Sequence, residues 1–457
     1  MKEVTVYELY KDEKLLEELK DSEIVLEGWV RTNRDNGSLG FIELNDGSFF
    51  KNLQLVYDNN TVNFEEVSHF SNGDAIQVRG ILVLTPEAKQ PFELHLIEGV
   101  ILGKCQDDYP LQKKRHGFEF LRDIAHLRMR TNTFNALFRV RSTLSYAIHK
   151  FFFERDFVYV HTPIITTNDA EGAGQTFKVI TDDKNPNAFF GTPSVLTVSG
   201  QLHVEPFALA FRNVYTFGPT FRAEKSNTTR HAAEFWMIEP EMAFTDLNGN
   251  MSVIEDFIKY IIKFVLERNK EEMNFFNTFI DKDLLNRLNH VLNSKFEVMP
   301  YTKAIEYLLK AKESGHKFEN NDIKWGMDLQ SEHERYLTEV IVKGPMFLID
   351  FPKEIKAFYM KLNKDNKTVA GCDLLVPGVG ELVGGSQREE DYEKLKAKME
   401  EVGNDKELYW YLDTRKYGGC VHSGFGLGFD RFLMYITGIS NIRDTQPYPR
   451  TFGSIKY

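Results

Sequence analysis

The chain has 457 residues, 42% of them hydrophobic and 13% aromatic, which is enough for two or three domains with sizeable cores. Its formal net charge of −11 excludes binding of nucleic acid by bulk positive charge and leaves any RNA contact to a few placed side chains. No apolar run reaches the roughly 18–20 residues that span a bilayer, and the N-terminal stretch has no signal-peptide pattern. The three cysteines are too scattered for a disulfide framework or a structural zinc site. From these features we expect a cytoplasmic protein.

Residues 1–103 predict a small β-barrel. Short segments of alternating hydrophobicity, separated by Gly, Asn and Asp turns, run through 24–30, 40–44, 53–57, 75–84 and 92–97. Such a set of strands fits a closed barrel of the OB type, and a β-sandwich is the alternative that strand count leaves open. Residues 104–130 are predicted to be a hinge or connector.

Residues 131–457 predict a larger α+β domain. Helical spacing of apolar residues indicates helices over 132–153 and 252–268, and 160–166 is a short extended run. Further strand-like segments are 195–198, 214–217, 234–242, 347–351, 356–362 and 371–375. Because helices and strands alternate without a regular βαβ rhythm, we expect a largely antiparallel sheet.

The segment 221–244 carries the clearest chemistry. Two apolar arms enclose a polar loop, which predicts a strand–loop–strand hairpin, and Arg222 and Arg230 stand on either side of the loop. An arginine fixed in a strand can hold a phosphate oxygen and stabilise charge at phosphorus, and an aromatic ring such as Phe235 offers a face for a purine. A P-loop is absent from the sequence, and the glycines of 424–428 are a weak match to a dinucleotide-binding turn.

Three segments resemble the signature motifs of the class II aminoacyl-tRNA synthetases. Residues 138–163 resemble motif 1, 217–244 motif 2, and 424–436 motif 3, in which an arginine leads into a helix. The patterns GWVR and GSLGFI near the N-terminus resemble the anticodon-binding OB domain of the aspartyl, asparaginyl and lysyl subgroup. The resemblance implies an N-terminal OB-fold β-barrel plus a class II catalytic domain built on an antiparallel sheet flanked by helices.

Within this subgroup the asparaginyl enzymes are the most similar. The strings that carry this similarity are DAEGAG, SGQLHVE, AEFWMIEP and GGSQRE. Aspartyl enzymes have a lysine that faces the substrate carboxylate where Val204 stands here. A side-chain amide needs one donor and one acceptor, so the resemblance implies that Arg388 donates to the amide oxygen of asparagine and Glu205 accepts from its nitrogen. Such pairing can reject a mismatched analogue by about 10⁴–10⁵.

The resemblance also assigns the other site residues. Glu171, on a loop expected to close over the substrate ammonium, would bind the amino acid with the side chains Ser199, Gln201 and Glu239. The residues implied in ATP binding are Arg222, Glu224, Arg230, His231, Phe235, Glu381, Gly428 and Arg431. Arg222 and Arg431 would be catalytic, and Asp373 and Glu381 would hold Mg²⁺ on ATP. The reaction would need positioning and charge neutralisation, without a general base.

The resemblance implies RNA and protein partners as well. In the barrel, Arg34, Phe41 and Gln54 match positions that bind the anticodon, where a Phe can stack on a base and a Gln can bind its edge. The implied partners are tRNA(Asn), L-asparagine, ATP and a second copy of the chain, joined through motif 1. Neither a membrane nor DNA is an expected partner.

Two other activities remain open at this point. One is a relaxed enzyme that charges tRNA with both aspartate and asparagine, which the missing lysine at Val204 argues against. The other is a paralogue resembling asparagine synthetases, which share the catalytic fold and lack the OB domain. A non-catalytic RNA-binding regulator would be expected to lose Arg222, Arg431 or Glu381, and all three are present.

Overall fold

The computed structural model describes residues 2–168 and 175–457. Residues up to Ala136 form one compact unit, and those from Leu137 to Tyr457 form a second. The predicted connector 104–130 belongs to the first unit. No helix in the described part of the chain combines the length and apolar character that crossing a membrane requires.

The first unit is a closed barrel with short helices around it. Its elements are β1 (Lys2–Glu3), α1 (Val6–Lys11), α2 (Glu13–Leu19), β2 (Glu23–Asp35), β3 (Leu39–Asn45), β4 (Leu53–Asp58), α3 (Phe64–Ser68), β5 (Ala75–Leu84), β6 (Phe92–Gly103), α4 (Phe118–Asp123) and α5 (Ala125–Arg128). The strand order is β1-β2-β3-β4-β6-β5, and the pairing of β2 with β5 closes the barrel. The predicted OB-type barrel is confirmed, and its alternating hydrophobicity is the cause: Ile42 and Leu44 of β3 are buried inside it.

Ten helices follow within residues 132–168 and 175–457, and the first of them, α6, begins at the end of the first unit. They are α6 (Asn132–Phe153), α7 (Gln201–Phe211), α8 (Leu247–Arg268), α9 (Lys270–Phe279), α10 (Leu284–Asn293), α11 (Tyr301–Glu313), α12 (Ser331–Tyr336), α13 (Tyr392–Val402), α14 (Tyr409–Lys416) and α15 (Phe429–Thr437). A π-helical turn, Leu337–Ile341, follows α12, and 3-10 turns span Lys353–Ile355 and Ile442–Asp444. The predicted helix over 132–153 is confirmed.

Ten strands accompany these helices within residues 137–168 and 175–457. They are β7 (Val158–Tyr159), β8 (Ile165–Thr166), β9 (Val195–Leu196), β10 (Asn213–Phe221), β11 (Glu234–Ala243), β12 (Glu297–Pro300), β13 (Met346–Pro352), β14 (Thr368–Val376), β15 (Gly380–Gln387) and β16 (His422–Gly428). Eight form one sheet in the order β12-β13-β14-β15-β16-β11-β10-β7. All its pairings are antiparallel except the two at the edges, β12–β13 and β10–β7. The predicted α+β fold with a largely antiparallel sheet is confirmed.

Aromatic packing joins α6, α8 and the sheet. Phe152 of α6 stacks on Tyr215 of β10, with 4.4 Å between ring centroids, and on Phe257 of α8 at 5.2 Å. These rings are buried, so they anchor both helices to one face of the sheet.

The structure differs from the predicted elements in several places. Helix α8 begins five residues before the expected Ser252, because Asp246 caps it by accepting from the Gly249 N–H at 2.9 Å. The predicted strand over 356–362 is wrong: this segment forms turns and only two isolated bridges. The glycine-rich strands β15 and β16 were not predicted.

Candidate active site

A cavity of about 670 Å³ lies in the second unit, over the strands β11, β14, β15 and β16. It contains every residue predicted to bind amino acid, ATP or Mg²⁺ in this unit except Glu171 and Glu205. Those that line it are Ser199, Gln201, Arg222, Glu224, Arg230, His231, Phe235, Glu239, Asp373, Glu381, Arg388, Gly428 and Arg431. Glu171 lies outside the described residues.

The hairpin of β10 and β11 positions the phosphate-binding candidates. The two strands pair antiparallel along their length, which confirms the predicted strand–loop–strand over 221–244. Because side chains alternate between the two faces of a strand, Phe235 and Glu239 of β11 both reach the cavity. Arg222 lies just beyond β10, with its guanidinium 5.3 Å from the centre of the Phe235 ring.

Cationic side chains gather at one end of the cavity. Arg230 donates from Nη1 to the Ser331 hydroxyl and to a main-chain carbonyl between β14 and β15, each at 3.0 Å. Arg431, at the start of α15, donates from Nε to the Arg230 carbonyl at 3.3 Å. Burial lowers the pKa of His231, and the charge of Arg431 lowers it further, so the ring is neutral at pH 7. Together with Arg222, these groups suit the phosphates of a nucleotide.

Carboxylates gather beside them on β14 and β15. A Cβ atom at Gly384 would lie 3.1 Å from Oε1 of Glu381 and 3.5 Å from Oδ1 of Asp373, so both carboxylates converge on one spot of the sheet. Burial raises the pKa of Asp373 to about 6, an effect that Lys356 opposes from 2.6 Å and the charge of Glu381 increases. Burial and the same glutamate raise the pKa of Glu334 to about 8. Such mutual repulsion between oxygen ligands favours a hard cation.

A buried carboxylate, that of Glu239, also lines the cavity. The Ser199 hydroxyl donates to Oε1 of Glu239, and the Gly200 N–H donates to Oε2 at 2.9 Å. Burial raises the pKa of Glu239, although these two hydrogen bonds oppose the rise. A buried anion held by neutral donors is complementary to a substrate ammonium group.

Arg388 forms a two-pronged ion pair behind this carboxylate. Its Nε donates to Oε2 of Glu241 at 3.1 Å and its Nη2 to Oε1, while Nη1 donates to the Ser386 hydroxyl at 2.6 Å. Glu241 needs the space above Gly424, where a Cβ atom would come within 2.2 Å of the carboxyl carbon. The ion pair therefore fixes where the guanidinium of Arg388 meets the cavity.

Glu205 is a correction to the prediction, because the structure does not bring it to the cavity. It lies one turn after Gln201 on α7 and accepts from the Gln201 amide nitrogen at 2.5 Å. Tyr411 lies 2.7 and 2.8 Å from its two oxygens, His422 lies 2.8 Å away, and Arg415 completes the set. A carboxylate with its acceptor sites filled in this way does not meet a substrate directly.

Several residues around the cavity were missed from the sequence. Arg415, Tyr411 and His422 are far from Glu205 in the chain, and nothing local indicates that they surround it. Lys356, which lines the cavity, stands in the segment 356–362, where no recognisable motif marks it as a site residue. The sequence CVH before motif 3 was the one usable signal, since it places a histidine at the start of β16.

The first unit brings its three predicted residues to one face of the barrel. Arg34 of β2 lies opposite Phe41 of β3, and Gln54 of β4 lies opposite Glu43, two residues further along β3. Arg34 is exposed, and Phe41 and Gln54 are half-buried. Gln54 donates to Glu93 at 3.1 Å. The outward Phe41 alternates with the buried Ile42, so its ring is available for stacking.

Comparison with family models gives two matches. Residues 119–452 match the model described as tRNA synthetases class II (D, K and N). Residues 24–99 match the model described as an OB-fold nucleic acid binding domain.

Full-length relatives of the chain are named asparagine–tRNA ligase. The chain is 59% identical to the asparagine–tRNA ligase of Clostridium acetobutylicum and 58% identical to that of Clostridium tetani, in each case over 100% of both chains. Among solved structures, asparaginyl-tRNA synthetase from Pyrococcus horikoshii, complexed with asparaginyl-adenylate, is 32% identical with a TM-score of 0.87. That alignment covers 100% of this chain and 99% of the other.

Proposed function

The chain belongs to the class II tRNA synthetases of the D, K and N group, and from this premise we propose that it joins asparagine to tRNA(Asn) with ATP. The observation that carries the proposal is a single cavity with cations, carboxylates and a buried Glu239 arranged along it. The Pyrococcus horikoshii protein, with 32% identity along the whole chain, was solved with asparaginyl-adenylate, the product expected of the first step.

In the first step a carboxylate oxygen of asparagine attacks the α-phosphorus of ATP, and the bond to pyrophosphate breaks. Arg222 bridges the α-phosphate and the substrate carboxylate, and Arg230 and Arg431 hold the outer phosphates. Phe235 stacks on the adenine, with Glu224 at its edge. These side chains neutralise charge that is already on the reactants, so positioning and electrostatics suffice.

Asp373 and Glu381 are the residues that would hold Mg²⁺. The fit is supported by their convergence over Gly384 and by the raised pKa of Asp373, which a cation would relieve. When bound, the ion supplies charge neutralisation for the ATP phosphates. Lys356 already holds the Asp373 carboxylate from 2.6 Å.

In the second step a hydroxyl of the 3′-terminal ribose of tRNA attacks the activated carbonyl, and AMP leaves. The exposed face with Arg34, Phe41 and Gln54 binds the anticodon of tRNA(Asn). A homodimer through 138–163 and a cytoplasmic location complete the proposal. The DAEGAG loop with Glu171 closes over the substrate ammonium.

A second activity, charging with aspartate as well, would need a cation for the substrate carboxylate where Val204 stands. Val204 is buried and apolar, which favours asparagine as the single substrate.

The test is ATP–pyrophosphate exchange with asparagine and with aspartate, each varied in concentration so that kcat/KM is obtained for both. We expect exchange with asparagine and at least about 10⁴-fold less kcat/KM with aspartate, since a site that pairs an amide rejects a carboxylate. Equal exchange with aspartate would contradict the substrate assignment, and no exchange with either would contradict the reaction.

A further inference from the structure

Behind the amino-acid end of the cavity lies a buried group that the proposed reaction does not use: Glu205, Tyr411, Arg415 and His422. All four side chains are buried, and none of them lines the cavity. Within residues 2–168 and 175–457, the one hydrogen bond that these four side chains form with a residue lining the cavity runs from the Gln201 side chain to Glu205.

The Gln201 amide can face Glu205 in only one way. An ionised carboxylate accepts hydrogen bonds and donates none, so the atom 2.5 Å from Oε2 of Glu205 must be the amide nitrogen. The amide oxygen of Gln201 is buried and has no hydrogen-bond partner within the described residues. Buried acceptors are normally paired, so this oxygen is available for a donor on a ligand.

The surrounding donors keep Glu205 ionised and fixed. Burial raises the pKa of its carboxyl, but Arg415 and His422 outweigh this and hold the pKa below its usual range. Arg415 also donates from Nε to the Glu389 carbonyl at 2.9 Å, and Nδ1 of His422 lies 2.6 Å from the Cys420 carbonyl. Arg415 and His422 are thus each anchored outside the group as well as to Glu205.

Gln201 also shares a hydrogen-bonded group with Glu239. The main-chain N–H of Gln201 donates to the Ser199 hydroxyl at 3.1 Å, and that hydroxyl donates to Glu239. An amide oxygen and a carboxylate in one group, both acceptors, are complementary to an ammonium with its three N–H donors. A reversed amide would present N–H groups to that ammonium and repel it.

We propose that Glu205 is a positioning residue, which locks the Gln201 amide with its oxygen toward the α-ammonium of the amino acid. This inference rests on the proposed function. Glu205 acts on the ammonium through Gln201, and does not contact the substrate amide.

Two analogues separate the ammonium from the rest of the substrate. L-Asparaginol keeps the ammonium and lacks the carboxylate, whereas succinamate keeps the carboxylate and the amide and lacks the ammonium. In Glu205→Gln we expect the Kd of asparaginol, measured by calorimetry on the full chain, to rise about 10- to 100-fold. A rise of this size corresponds to the loss of one hydrogen bond to a charged group. The Kd of succinamate should stay within about twofold. An equal rise for both analogues, or no rise for either, overturns the proposal.

A double-mutant cycle tests the route through Gln201. Gln201→Leu should raise the Kd of asparaginol by a similar factor, and adding Glu205→Gln to it should change nothing more. A further rise in the double variant would show that Glu205 acts by another route. Wild-type exchange with asparagine, recorded beside these titrations, reports separately on the proposed function.

Folding is controlled with two other variants. Glu272→Gln removes a buried carboxylate on α9 that does not line the cavity, and it should leave both Kd values unchanged. If Glu205→Gln does not fold, Tyr411→Phe removes the hydroxyl that holds Glu205 and keeps the pair with Arg415. It should raise the Kd of asparaginol alone, by about 3- to 10-fold; an unchanged Kd overturns the proposal.

Discussion

Arg222 is placed to bind the negatively charged groups that react, the phosphate and the carboxylate. It leaves β10 at the mouth of the hairpin, beside the ring of Phe235, and lines the same cavity as Arg230 and Arg431. A guanidinium keeps its charge at any pH that a protein tolerates, and its planar fork fits a phosphate or a carboxylate. In the proposed reaction it bridges both.

Arg222→Ala should lower kcat for asparagine-dependent ATP–pyrophosphate exchange by about 1,000-fold, because a fixed charge at the reacting phosphorus is lost. The midpoint of urea unfolding should not change. Arg335→Ala, which removes an exposed arginine paired with Glu339, is the matched control and should retain full activity. Normal exchange in Arg222→Ala would refute its role.

Glu239 makes asparagine binding pH-dependent. Burial raises its pKa above the ordinary 4.5, with Arg222 and Arg388 nearby and opposing the rise. Only the ionised carboxylate attracts an ammonium, so the KM for asparagine should rise as the pH falls through this raised pKa. Steady-state exchange between pH 5 and 8 measures the profile. In Glu239→Gln the KM should be high throughout and lose this dependence; an unchanged profile would exclude Glu239 as the titrating group.

Strand β16 is an element whose glycines make room for its neighbours. Gly424 lies under the carboxylate of Glu241, and a Cβ atom at Gly426 would lie 3.2 Å from Cε at the flexible end of Met237. A strand of this composition has weak intrinsic propensity. It forms because β11 and β15 pair with it on both sides.

Gly424→Ala should displace Glu241 and loosen its pair with Arg388. We expect a loss of about 1–3 kcal/mol in the free energy of unfolding from overpacking, measured by urea titration, together with a higher KM for asparagine. Gly426→Ala on the same strand meets only a movable methyl group and should lose less stability. Equal losses in the two variants would contradict this account.

Local pattern decides which elements the sequence predicts well. Helix 132–153 and the 221–244 hairpin have clear apolar periodicity and agree with the structure. Strands β15 and β16 were missed because their glycines hide the alternation, and their stability comes from the neighbouring strands. Segment 356–362 alternates like a strand, yet Lys356 turns inward to reach Asp373.

The site shows the same division between local and long-range information. Motif residues such as Arg222, Arg431 and Glu381 were predicted by family resemblance, and the structure brings them together at one cavity. The setting of Glu205 was not predicted, because Arg415 and His422 come from α14 and β16, more than 200 residues away in the chain. Only the folded sheet brings these ends together.

At the scale of the whole molecule, the two compact units divide the work of the proposed reaction. The cavity is formed by the second unit, and the Arg34, Phe41 and Gln54 face belongs to the first. Adenylate formation needs only small substrates, so it should not depend on that face.

Phe41→Ala should raise the KM for tRNA(Asn) about 10-fold or more, since stacking on a base contributes about 1–3 kcal/mol. Asparagine-dependent pyrophosphate exchange should stay at the wild-type rate. Val62→Ala removes another exposed apolar side chain of this unit and should change neither. A Phe41 variant with normal tRNA kinetics would remove this face from the proposal.

The central claim is that the chain attaches asparagine to tRNA(Asn), and aminoacylation measures it most directly. Purified chain is incubated with ATP, Mg²⁺, tRNA(Asn) and either radiolabelled asparagine or radiolabelled aspartate, and label that precipitates with the tRNA is counted. The account predicts charging with asparagine, dependent on ATP, and none above background with aspartate. No charging with asparagine, or equal charging with aspartate, would contradict it.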